Sequence, residues 1–278
     1  MKNIFLGEAF VNNTLENISI KEEMSSKAIA LYIMRAFMAG VLIVFGYLLI
    51  MGLDAGFNDE LNVVGTMTGA TMFSLVLAAI YFTKSELLTS NMMITTVGKY
   101  YQKINFSTML KILVFCYLGN LLGGLFTGAL ISATTVLTPG MVDSMKHSVE
   151  MKQAYIANKA FVDLFIRAIF ANFFINVAML MIYSQNVTSD FGKVIVMFFG
   201  VFSFVFLGME HSVANTELFA IAGMTQLIQG VDTGFNLGYA ISNVGIALMG
   251  NFIGGGFLIG YYYAYINDST KVKGAKKE

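Results

Sequence analysis

Charge is scarce in this chain. Only 12% of its 278 residues are Asp, Glu, Lys or Arg, and 17 basic residues balance 17 acidic ones. Such a balance gives no reason to expect nucleic acid as a partner. Cysteine occurs once, at Cys116 inside an apolar run. No disulfide or cysteine-held metal can form within one chain, and the residue reads as packing. Proline also occurs once, at Pro139. The first 27 residues carry Glu8, Glu16, Glu22 and Glu23 and lack a short apolar core before a small-residue cleavage site, so no cleavable signal peptide is expected. No cofactor-binding or metal-ligating set is expected either.

What is abundant is hydrocarbon. With 56% hydrophobic residues and a mean hydropathy of +0.70, the chain cannot hide its apolar content inside a soluble globule of this size. The class is all-α integral membrane. Apolar runs at 28–53, 62–82, 109–133, 160–183, 194–226 and 240–266 are long enough at ~1.5 Å per residue to cross a ~30 Å core, which makes six crossings. Residues 1–27 place Phe5, Leu6, Phe10, Leu15 and Ile18 among charges, which suits an amphipathic helix on the membrane surface or against a partner. Channel domain 28–266 and basic tail 267–278 follow.

Basic residues set the topology. Lys2, Lys21, Lys27 and Arg35, then Lys99 and Lys103, then Lys193, and finally Lys271, Lys273, Lys276 and Lys277 mark cytoplasmic segments, so both termini are expected inside. Loops 54–61 and 227–239 hold Asp54, Asp59, Glu60 and Asp232 without Lys or Arg, as external loops should. The third external loop, 134–159, carries Lys146, Lys152 and Lys159, which points to another job for those charges. Tyr261, Tyr262, Tyr263 and Tyr265 would anchor the last crossing at the headgroups.

The halves repeat. Arg35 to Gly40 matches Arg167 to Asn172, Gly119-Asn120-Leu121-Leu122-Gly123-Gly124 matches Gly250-Asn251-Phe252-Ile253-Gly254-Gly255, and Glu86-Leu87-Leu88-Thr89-Ser90-Asn91 matches Glu210-His211-Ser212-Val213-Ala214-Asn215. Equivalent points lie three crossings apart, an odd number. The second repeat (about 159–266) is therefore inverted relative to the first (about 28–134), and the polar stretches should break the second and fifth helices at mid-membrane. Irregular backbone is tolerated there only when buried in protein or lining a cavity, so Glu86, Ser90, Asn91, Glu210 and Asn215 are expected to support the loops. The glycines read as close helix packing.

These same residues resemble the formate–nitrite transporter family of bacterial pentameric anion channels, over nearly all of 28–266. The resemblance implies an aquaporin-like fold in the bacterial cytoplasmic membrane, with one pore per protomer and five protomers around a lipid-filled or plugged centre. Aquaporins proper carry paired Asn-Pro-Ala signatures, which are absent here. It further implies an outward constriction at Leu77 and Phe204, an inward one at Leu87, and a central site where Thr89 approaches His211. Counting back from Asn172 puts Ile156 at the usual place of an external-vestibule lysine. Lys159, three residues on, is the candidate for that role. Lys84 stands where the family has a small residue.

A full charge at the bilayer centre costs on the order of 2.5–3.5 kcal/mol, so His211 is expected to rest neutral and donate a hydrogen bond. A weak-acid anion could take a proton beside it and cross as the neutral acid, or be conducted past a fixed donor. The residues alone leave both open. Formate is the first expectation and nitrite or hydrosulfide the alternatives. The competing class, an intramembrane hydrolase built on His211 with Ser212 or Ser90, suffers from sequence neighbours that do not face each other on a helix and from the absence of a Gly-x-Ser-x-Gly elbow.

Overall fold

The computed structural model describes residues 7–56 and 62–271, and all regular structure among them is helical. The first half holds α1 (Glu8–Lys27), α2 (Ile29–Asp54), α3 (Asn62–Phe82), α4 (Leu88–Tyr100) and α5 (Phe106–Ser132). The second holds α6 (Pro139–Ala157), α7 (Phe161–Tyr183), α8 (Asp190–Phe206), α9 (Ser212–Gln229) and α10 (Leu237–Asn251), which runs on through wide π-type turns at Phe252–Tyr261 into α11 (Tyr262–Ile266). Among the described residues five helices are long and apolar enough to cross a membrane: Ile29–Asp54, Val63–Phe82, Phe106–Ser132, Phe161–Tyr183 and the continuous Leu237–Ile266. The chain is a multi-pass membrane protein. The run expected over 194–226 is two shorter helices, α8 and α9, parted at 207–211, and α3 is parted from α4 at 83–87.

Local chemistry explains where the helices begin. The side chains of Asn105, Thr138, Ser189 and Asn236 each accept a hydrogen bond from the backbone N–H three residues on, which occupies a donor the first turn cannot satisfy. Pro139 sits at the first position of α6, where its missing N–H is not needed. Glycines then let the long helices touch. A Cβ on Gly123 would run into the carbonyl of Phe37 on α2, and one on Gly254 into the carbonyl of Ile169 on α7. Equivalent glycines thus seat equivalent helix pairs, backbone against backbone.

One expectation changes, and the apolar face of α1 finds its partner. Phe10, Thr14, Ile18, Lys21 and Ser25 recur along that face and are buried against the channel helices. Phe5, Leu6 and Lys2 lie outside the described residues, as do Asp59, Glu60, Lys273, Lys276 and Lys277. The segment 134–159 is mostly the helix α6, whose Met141, Met145, Val149 and Gln153 make a buried stripe of period four. Lys146 on its outer side pairs with Asp232, whose carboxyl is held below its usual range by that ammonium and by the Gly234 N–H. Of the four tyrosines near the chain's end, Tyr261, Tyr262 and Tyr265 are exposed, whereas Tyr263 turns in against Phe10 at 6.3 Å between ring centroids.

Among the described residues one buried carboxyl stands without compensation. Glu217 of α9 lies against Gly124 of α5, and neither carboxyl oxygen has a hydrogen-bond partner among the described residues. Thermal unfolding in detergent should therefore separate three variants. Gly254→Val is expected to lose about 3 kcal/mol or more through backbone collision. Gly245→Ala, at a site with nothing within 4 Å, should be neutral or slightly stabilising. Glu217→Met should gain about 1–3 kcal/mol by removing an unpaired polar group.

Candidate pore site

Each parted helix exposes backbone groups, and one asparagine answers them. In the first half Asn120 Nδ2 donates to the carbonyls of Ala36 (2.8 Å) and Glu86 (2.9 Å), while its Oδ1 accepts from Leu88 N–H at 3.2 Å. In the second, Asn251 Nδ2 donates to the carbonyls of Ala168 (2.7 Å) and Glu210 (3.0 Å), and its Oδ1 accepts from Ser212 N–H at 2.8 Å. Both asparagines are fully buried. A side-chain amide has donors on one arm and an acceptor on the other, so it can bridge two stretches of irregular backbone at once. The loop-supporting work expected of Glu86 and Glu210 is therefore done from the Gly-Asn motifs of α5 and α10.

The two glutamates do something else. Glu86 accepts from Lys21 Nζ of α1 and from Asn91 Nδ2 at 2.9 Å. Glu210 accepts from Lys152 Nζ of α6 at 2.9 Å and from Asn215 Nδ2 at 2.6 Å. Each amphipathic helix is thus pinned to a break by a lysine reaching a buried glutamate. Lys159, the expected vestibule cation, sits instead in the exposed left-handed turn that ends α6, at φ 56°. Lys152, two turns earlier, reaches the cavity. Ser90 lines the cavity beside Glu86.

His211 precedes α9 and is 3% exposed. Its Nδ1 accepts the Ala214 N–H at 3.0 Å, which caps the helix, and its Nε2 lies 2.8 Å from Thr89 Oγ1. Because Nδ1 is an acceptor, a neutral ring carries its proton on Nε2 and donates to Thr89. The Thr89 hydroxyl hydrogen then remains available to another acceptor. Thr89 is itself held from across the molecule: its carbonyl accepts from Asn172 Nδ2 at 3.1 Å and Asn176 Nδ2 at 3.2 Å, both on α7. Phe204 stacks on the imidazole, with centroids 5.5 Å apart and planes at 24°.

Leu77, Leu87, Phe204 and His211 all border one cavity of about 20 Å³, closed further by Ile43 and Ile175. That is room for about one water and not for a hydrated ion. Wider cavities lie to either side. The one beside α1, about 290 Å³, is bordered by Lys21, Arg35, Lys84 and Glu86 and shares Leu77 and Leu87 with the narrow one. The one beside α6, about 860 Å³, is bordered by Lys152, Arg167 and Glu210, with Asp54, Asp143 and His147. Sequence reasoning missed Lys21 and Lys152 as a pair. The signal was present, since they are 131 residues apart, the same offset as Asn120 and Asn251. Among the described residues a hydrolytic dyad is not assembled: both ring nitrogens of His211 are engaged elsewhere, and Ser212 Oγ has no partner.

A narrow apolar collar holding one imidazole between two charged cavities, inside a multi-pass helical protein, is the construction of a membrane channel or transporter. The chain belongs to the formate/nitrite transporter family, whose sequence model matches residues 9–265. It is 26% identical over 239 residues to the formate channel BtFdhC of Bacillus thuringiensis, covering 86% of this chain and 87% of that one. It is 28% identical over 233 residues to the nitrite transporter NirC of Escherichia coli K12, covering 82% and 81%. Its fold is that of an FNT family ion channel, with a TM-score of 0.80 at 24% identity over 92% of this chain and 98% of that one. A pentameric formate channel with formate bound gives a TM-score of 0.71 at 24% identity, over 86% and 98%. Transport, not catalysis, is the business of this family.

Lys152→Met should strand Glu210 in a buried site and cost about 3–5 kcal/mol of stability in chemical unfolding. Adding Glu210→Gln should recover more than half of that loss. Strict additivity of the two substitutions would contradict the pin.

Proposed function

We propose that the chain is a channel for small monovalent weak-acid anions, formate first, with nitrite or hydrosulfide as alternatives, and with one pore per protomer. On this reading α3 with α4, and α8 with α9, are single broken crossings, the second and fifth of six, in two inverted three-helix repeats of aquaporin-like design. The matched asparagine bridges and lysine–glutamate pins support it, and they draw α1 into the first repeat and α6 into the second. The repeats then run about 8–132 and 139–266 rather than from 28 and 159. The α1 side faces the cytoplasm of a bacterial cell, with both termini there, because Lys21, Lys27, Lys99, Lys103 and Lys271 gather at that side's ends of the crossings. This reading includes a homopentamer in the lipid bilayer, which the solved pentameric relative supports. Apolar side chains such as Leu118, Leu122, Phe126 and Leu130 are exposed along α5, which suits lipid or a neighbouring protomer.

The single observation that carries the function is the imidazole in the collar. An anion leaving either wide cavity must shed water to pass Leu77, Leu87 and Phe204, and among the residues bordering that collar His211 is the one polar side chain, with Thr89 hydrogen-bonded to its ring. With Nε2–H donated to the Thr89 oxygen, the threonine hydroxyl is polarised towards donating its own hydrogen to the anion. His211 therefore acts as a fixed donor behind Thr89. Protonating the passing anion from the ring would require a second proton on Nδ1, where it would face the Ala214 N–H and break the helix cap.

Formate flux into proteoliposomes tests this. His211→Phe and Thr89→Val each remove a donor to a charged ligand, worth about 1.5–3 kcal/mol, so flux should fall about tenfold or more. A His211→Phe channel with unchanged flux and unchanged pH dependence would contradict the reading.

A further inference from the structure

The two mouths are built on equivalent residues, yet their charges differ. Arg167 is neutralised where it stands: its Nε donates to Asp163 Oδ1 at 2.9 Å and its Nη1 to the Gly208 carbonyl at 3.0 Å. The matched Arg35 has Leu31, an apolar residue, at the position corresponding to Asp163, since both pairs share an offset of 132 residues. Among the described residues no carboxylate is paired with Arg35. A second difference lies in the turn before each break. Gly208 takes the left-handed backbone at φ 62°, where glycine carries no steric penalty, while its counterpart 124 residues earlier is Lys84, at φ 57°. Glycine suffices for that turn on one side, so the fold does not require the lysine on the other. Lys84 borders the α1-side cavity, exposed and steadied over the Tyr81 ring at 5.1 Å, and is likewise without an ion pair among the described residues.

The α1-side cavity is therefore bordered by three cations and one carboxylate, Lys21, Arg35 and Lys84 against Glu86. The larger α6-side cavity is bordered by two cations, Lys152 and Arg167, against three carboxylates, Asp54, Asp143 and Glu210, with His147 beside them. One mouth is net positive and the other net negative, across a collar too narrow for water to screen them from an ion in transit. Low-dielectric walls concentrate such a field in the cavity it belongs to.

We propose that Arg35 and Lys84 make the α1-side mouth an anion-collecting site that the α6-side mouth lacks, so that the transported anion loads preferentially from the α1 side. The ligand class is a small hydrated monovalent anion, held loosely by charge rather than by a fixed set of hydrogen bonds. This rests on the channel reading above. Under the topology given there, the bias favours release of the anion from the cell. It changes the concentrations at which each mouth saturates and not the equilibrium, which a passive pore cannot shift.

Proteoliposomes sorted for one orientation through an affinity tag at the C-terminus allow the test, with labelled formate presented from either side. The half-saturating formate concentration should be lower from the α1 side in the unaltered protein. Lys84→Gly, which installs the residue found at the equivalent turn and is expected to fold, should raise it about two- to threefold on that side and leave the α6 side unchanged. Lys84→Glu should raise it further, and the difference between sides should shrink as inert salt is added. Equal half-saturation from both sides, or a Lys84→Gly protein with unaltered asymmetry, overturns the inference while leaving the channel reading intact. Absence of formate flux from either side overturns both.

Discussion

A helix broken inside a membrane frees N–H and carbonyl groups that no lipid can bond, and their satisfaction is the constraint on which the rest of this structure depends. Asn120 and Asn251 meet it, each bridging a helix start and two carbonyls with a single buried amide. Both stand within glycine-rich stretches that bring α5 against α2 and α10 against α7 closely enough for a short side chain to reach across. Packing and polar satisfaction are thus one device. Loosen the glycine contact and the bridge loses its span; remove the bridge and the break becomes too expensive to bury.

Once the breaks are held, the chemistry of the collar follows from where α9 begins. A histidine at that position serves as the cap, and the cap decides which ring nitrogen carries the proton. The same proton then has one partner, Thr89, fixed in turn by two asparagines of α7. An apolar wall alone would stop an ion, and a charged one would trap it. A neutral donor set in an apolar wall lies between those limits, which is what passage requires.

Much of this was legible in the residues. Six apolar runs, three ordered matches between halves and two polar interruptions sufficed for the long helices and the breaks, and the resemblance to the family added the meeting of Thr89 with His211. What escaped notice was charge at a distance. Lys152 lies in a segment that reads as a loop because its buried stripe, Met141 to Gln153, mixes thioether and amide with aliphatic side chains. Lys21 lies before the first long apolar run, outside the span comparison. Counting from Asn172 led to Lys159, whereas the pin falls a full repeat offset after Lys21. Asn120 and Asn251 were visible as motif residues, but no spacing rule says that an asparagine on one helix will satisfy a turn between two others.

The central claim is that His211 stays neutral with its proton on Nε2 and serves as a donor to the anion through Thr89. Solid-state nitrogen NMR on histidine-labelled protein in bilayers addresses it directly, with His147→Gln removing the only other histidine. At neutral pH the expected signal is one protonated nitrogen, Nε2, and one unprotonated nitrogen, Nδ1, with labelled formate in contact with the Thr89 side chain. An imidazolium signal, a proton on Nδ1, or formate that never approaches Thr89 would contradict it.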